Sequence, residues 1–350
     1  MGVTGASRRE RHGHEECDMR NWIGLGCSML VASMAVLVTE SGHAARFNVS
    51  NAASLESAIT SANENGEADT IVLTVAALTL TSALPAISSD ISFRGQNSDG
   101  STIDGGQQFF FNIQFGATVS LEDLTLQNGL SSAGGGIRNN GTLTLTRCAI
   151  VNNRSTRIFG SGGDGGGITN SGTLTILDST IAGNEAAEDG GGIDSSGTLI
   201  IANSTISGNE AGNEGGGIRS SGTTTFTNIT IVGNDARFGG GVYGFSTTSF
   251  ANTIVAGNTG FGPDVSGTFQ SLGFNFVGDG SQSMGWIEDD QVGTAETPLD
   301  PLLGELGDHG GPTDTHRPID SASPIINAGD ATLAANANLT TDQRGVSRNL

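Results

Sequence analysis

"DGGGITNSGTLTILDSTIAGNE" (164–185) and "DGGGIDSSGTLIIANSTISGNE" (189–210) are nearly the same phrase, written twice in succession. Its Gly-Gly-Gly-aliphatic element marks copies at Ile137, Ile168, Ile193, Ile218 and Val242, in steps of 31, 25, 25 and 24 residues. The long first step contains an insertion: "RSTRIFGSGGD" (154–164) stands where the next copy has "EAAED" (185–189). A period near 25 that tolerates loop insertions is the mark of a solenoid, in which each unit buries its apolar face only by stacking on its neighbours.

Within a copy the residues alternate as in a strand: Leu174 and Ile176 point one way, Thr173 and Thr175 the other. In register, the copies form apolar columns: Leu143/Leu174/Leu199, then Leu145/Ile176/Ile201/Phe226/Phe250, then Ile150/Ile181/Ile206/Ile231/Val255. The connecting segments are too short for a helix, so strands of successive coils must pair in parallel. The expected fold is all-β, a parallel β-helix, and a TIM barrel or doubly wound sheet is excluded. Asn153, Asn184, Asn209, Asn234 and Asn258 form a further column, expected to turn a corner in the left-handed conformation and to link amide to amide between coils. The glycine triplets serve the opposite corner.

The 350 residues carry 36 acids against 15 bases, all arginine, for a formal charge of −21. Such a chain lacks the basic footprint that nucleic acid or an anionic membrane requires. Cations and neutral glycans suit it better. At the N-terminus, basic residues up to Arg20 precede an apolar run at 22–38, and small residues follow at 41–45. That is the layout of an export signal cleaved after Ala44 or Ala45, with Met19 as an alternative start. Cleavage would remove Cys17 and Cys27 and leave Cys148 without a disulfide partner.

Four regions result: a signal at 1–45, an N-terminal cap and first coils at 46–130, the repeat array at 131–262, and last coils with a C-terminal cap at 263–350. In the second, "SLESAITSANENGEADTIVL" (54–73) predicts a short capping helix with Leu55, Ala58, Ile59 and Ala62 on one face, then a strand. The tail "PLLGELGDHGGPTDTHRPIDSASPIINAGD" (301–330) is expected to lie along the last coils.

The "GGGIxNxGTLTxxxSTIxGN" copies resemble the right-handed parallel β-helix repeats of bacterial surface proteins of the polymorphic outer-membrane and pectate-lyase-like type. The segment "SLESAI…ANENGEADTIVL" is similar to the start of CSLREA-type domains, without the Cys and Arg of that motif. "LGDHGGPTDTHRPIDSASPIINAGD…TDQRG" resembles the choice-of-anchor Q domain. These resemblances span most of 47–345. They imply a right-handed β-helix of an exported protein and say little about chemistry. Members are often followed by an anchoring segment; no C-terminal apolar helix follows "TDQRGVSR" here, which departs from that pattern and leaves the mode of anchoring open.

Chemistry could reside in two acidic columns on the segment between the Asn corner and the glycine corner, which reads as a short loop. Glu185, Glu210 and Asp235 follow the asparagines; Asp164, Asp189 and Glu214 precede the glycines. Oxygen ligands from several coils would suit Ca²⁺, and no other cofactor is called for. Asp194 and Arg219 hold equivalent outward positions on adjacent coils, as an ion pair or, with Asp189, as part of a catalytic cluster. Tyr243, Phe238 and Phe245 group at one coil, and Trp286 lies in the irregular region. His309 and His316 lack a third ligand at metal spacing and read as turn structure. The functional expectation is a secreted or cell-surface scaffold, monomeric, without a stable membrane span after cleavage, touching polysaccharide or a cell-surface glycan. A polysaccharide lyase or glycoside hydrolase is the alternative.

Overall fold

The computed structural model describes residues 44–348 except 97–99, 158–161 and 245–246. Residues 1–43 of the expected export signal at 1–45, and Phe245, therefore lie outside the described residues. One copy contributes four strands, Ile168–Asn170, Thr173–Leu177, Thr180–Ala182 and Glu185–Ala186, each to a different sheet. These define a glycine side, a long side, a middle side and a short side, in sheets of eight, ten, ten and six strands. Successive coils pair in parallel with the registers that the columns predict: Leu174 opposite Leu143 and Leu199, Ile181 opposite Ile150 and Ile206. The chain is a parallel β-helix.

The three apolar columns, with the inward Ile137, Ile168, Ile193, Ile218 and Val242 of the glycine side, line the core, and Leu174, Ile176, Ile181 and Ile206 are fully buried. Each such side chain contributes about 1.5–3 kcal/mol on burial. The stack is closed at its N-terminal end by the helix Ala52–Asn65, whose buried residues are Leu55, Ala58, Ile59 and Ala62, as the spacing predicts. Asn51 caps it by accepting the Ser54 amide proton at 2.9 Å, and Gly66 ends it at φ 72°.

Polar ladders run beside the apolar columns. The amide of Asn153 donates to Asn184 Oδ1 at 3.0 Å, Asn184 to Asn209, Asn209 to Asn234 and Asn234 to Asn258 at 2.9 Å each. Asn258 passes the ladder on to Asp264 at 2.8 Å. The left-handed residue of this corner is the one before each ladder asparagine, Asn152, Gly183, Gly208, Gly233 and Gly257. The ladder residues themselves keep ordinary backbone, because their side chains must point inward to meet the next coil. In the glycine triplets the constraint is close approach: a β-carbon on Gly191 would collide with the Gly216 carbonyl oxygen one coil away.

Two further expectations change. The segment after the Asn corner is a fourth sheet and not a loop: Arg154, Glu185, Glu210, Asp235 and Thr259 stand in one register, with Ala186, Ala211 and Ala236 packed inward. The small inward alanines let this side sit close. The tail, in turn, runs back over the middle side as a strap: Thr180 Oγ1 donates to the Asp314 carbonyl at 2.6 Å and Gln343 Nε2 to the Ser179 carbonyl at 3.1 Å. At the far end of the core Trp286 packs 5.4 Å from Phe250 and stacks 6.3 Å from Phe269.

Candidate functional site

Outward positions on the glycine side form one column, Thr169, Asp194, Arg219, Tyr243 and Ser266. The residues just before the glycines form a second, Asp164, Asp189, Glu214, Phe238 and Phe261, linked where each glycine amide donates to the carbonyl one coil on, as Gly190 does to Glu214 at 2.8 Å. The two columns converge on Arg219. Its Nη1 lies 3.0 Å from Asp194 Oδ1, and its Nε lies 3.4 Å from Glu214 Oε2 and 3.6 Å from Asp189 Oδ2. Asp189 is fixed in turn, its Oδ1 accepting from Asn213 Nδ2 at 3.0 Å and from the Glu214 amide at 3.1 Å.

Burial dominates the charge balance. The Asp194 carboxyl is pushed up to about 6 by burial, against the Arg219 hydrogen bond that favours its ionised form. Asp164 is raised by burial and by the Asp189 charge. Burial disfavours the Arg219 charge, but Asp194, Asp189 and Glu214 outweigh it and hold the guanidinium above its ordinary range. Tyr243 is raised by burial and by neighbouring Glu214.

Of the sequence candidates, Asp164, Asp189, Asp194, Glu214 and Arg219 come together. Glu185, Glu210 and Asp235 belong to the ladder on the short side, where Glu185 pairs with Arg154 at 3.0 Å and Asp235 accepts from Thr259. Among the described residues no three acidic, histidine or cysteine side chains are arranged to hold a metal ion. Arg219 occupies the space between the carboxylates that a divalent ion would need. His316 anchors the strap: its Nδ1 lies 2.6 Å from the Gly304 carbonyl, so it carries the proton, and its Nε2 accepts from Ser207 at 2.9 Å.

Sequence reasoning missed Phe261. The acidic column runs into an aromatic one, Glu214 opposite Phe238 and Phe238 opposite Phe261. The two rings meet edge to face at 6.0 Å, Arg237 covers Phe238 at 4.9 Å, and Phe261 is 59% exposed. Its signal was present in "TGFG" (259–262), hidden because the repeat decays there.

No family profile matches the chain, and no curated protein matches it. Among solved structures it is similar to a pectate lyase, "Crystal structure of pectate lyase Pel9A", at 14% identity and a TM-score of 0.41 over 89% of each chain.

Proposed function

We propose that this protein is an exported β-helix scaffold that holds a neutral polysaccharide or cell-surface glycan along the corner between its short and glycine sides, without turnover. The observation that carries this reading is the register Glu214, Phe238, Phe261. Carboxylate and guanidinium groups suited to sugar hydroxyls lead directly to an exposed ring suited to the C–H face of a pyranose. Arg237 already covers Phe238, which leaves Phe261 as the platform. Four carboxylates around one arginine repel uronates and sulfated sugars, so the glycan is neutral. Export follows from the layout of residues 1–45.

The raised Asp194 carboxyl favours a second reading, general-acid catalysis in a hydrolase or lyase. Against it, hydrolysis needs a second carboxylate across the scissile bond and elimination a free base, whereas Arg219 ties up Asp189, Asp194 and Glu214 at once. The test is a panel of neutral and acidic polysaccharides scored for binding, reducing ends and unsaturated products. Binding of a neutral glycan that is lost in Phe261→Ala supports the scaffold. New reducing ends or unsaturated product, abolished by Asp194→Asn, would replace it with the enzyme.

A further inference from the structure

In a chain with 36 acids and 15 arginines, three of those arginines line one cavity. It measures about 210 Å³ and lies between the strap and the middle side, where Thr205 and Thr230 form its floor. The strap contributes Thr315, His316, Arg317, Arg344 and Arg348. Arg344 is neutralised by Asp342 at 2.6 Å. Arg348 donates only to neutral acceptors, Asn203 Oδ1 at 2.7 Å and the Thr341 carbonyl at 2.9 Å. Arg317 is exposed and forms no ion pair among the described residues. Two guanidinium charges therefore lack a carboxylate in contact, and burial pushes Arg348 below its ordinary range against the more distant charges of Asp342, which also lines the cavity, and Asp178.

Thr315 supplies a second observation at the same cavity. Thr315 is only 6% exposed, and its Oγ1 is buried without a hydrogen-bond partner. A buried hydroxyl is rarely left so, and this one belongs to a residue that lines the same cavity as Arg317 and Arg348. A metal ion would be repelled by the arginines, and a neutral sugar would leave their charge unmet. The volume admits a tetrahedral or planar oxyanion with a few waters.

We infer that this cavity binds a small oxyanion, a phosphate, a sulfate or a carboxylate, gripped by Arg317, Arg348 and the Thr315 hydroxyl. Such an anion bridges strap and coil, since Arg348 already reaches Asn203 at the corner between the long and middle sides. The site is independent of the glycan reading, which uses the corner between the short and glycine sides.

Calorimetric titration and thermal melting of the whole protein test it, with sodium phosphate, sulfate and glucuronate each compared with chloride at matched ionic strength. The expected result is saturable one-to-one binding and a raised Tm for at least one anion. Arg348→Gln and Thr315→Val should each weaken binding roughly tenfold. Arg317→Gln, at an exposed side chain, should weaken it while leaving the Tm in chloride unchanged, which separates lost binding from lost folding. Preference for phosphate or sulfate identifies a free inorganic ion, and preference for glucuronate a sugar carboxylate. No binding beyond chloride, or binding equal in Thr315→Val, Arg317→Gln and wild type, overturns the assignment.

Discussion

The Arg219 guanidinium lies 3.0 Å from Asp194, directly opposite it in the parallel register, yet the carboxyl it contacts is still pushed up to about 6. Desolvation outweighs the partner. A carboxyl whose folded pKa exceeds its unfolded value of about 3.9 stabilises the fold at low pH, and that contribution is lost as pH rises through about 6. Asp194→Asn should therefore flatten the pH profile, gaining on wild type by roughly 2–3 kcal/mol between about pH 4 and pH 8. Parallel Tm profiles for the two proteins across that range would refute the assignment.

Arg219 performs the role a bound cation would have. Wild type should show no Tm shift with millimolar Ca²⁺, whereas Arg219→Ala uncovers Asp189, Asp194 and Glu214 and should acquire one. At tenfold excess over Kd the gain is about 1.4 kcal/mol. A calcium response in wild type that disappears in Glu210→Gln with Asp189→Asn would instead restore a native Ca²⁺ site.

Ile206, fully buried between Ile181 and Ile231, cannot accept charge. Ile206→Asp should prevent folding, while Thr175→Asp, outward on the long side, should cost no more than about 1 kcal/mol. Denaturant melts of both variants decide it; similar losses would mean that inside and outside are misassigned.

Asn209 is the middle rung of the amide ladder, accepting from Asn184 and donating to Asn234 and to the Ile181 carbonyl. Asn209→Ala strands partners on the two flanking coils and should cost about 3–5 kcal/mol in urea unfolding. A loss below about 1 kcal/mol would show that the ladder relaxes or takes up water.

The columns of Leu, Ile and Phe were legible because strand alternation and a fixed repeat leave each core residue one place to go. The fourth side was not, since Glu185–Ala186 is a two-residue strand whose inward residue is alanine and whose outward residue looks like loop. Asp194 and Arg219 could be paired from their matching offsets, but the reach of Arg219 to Asp189 and Glu214 depends on how closely the glycine corner folds. The strap carried no periodic signal at all. It docks through single polar contacts such as Thr205 with Gln343, which no pattern announces.

Those strap contacts join residues far apart in sequence: Gln343 reaches back 164 residues to Ser179, whereas each coil touches only the next. A bare stack of coils behaves as a one-dimensional array that can fray coil by coil from either end. The strap fastens a segment that follows the coils to the waist of the array, so fraying from the C-terminal end of the array must first undo a clasp set several coils upstream. It also sets an order of assembly, because the clasp has nothing to close on until the coils around Ser179 and Thr205 have formed.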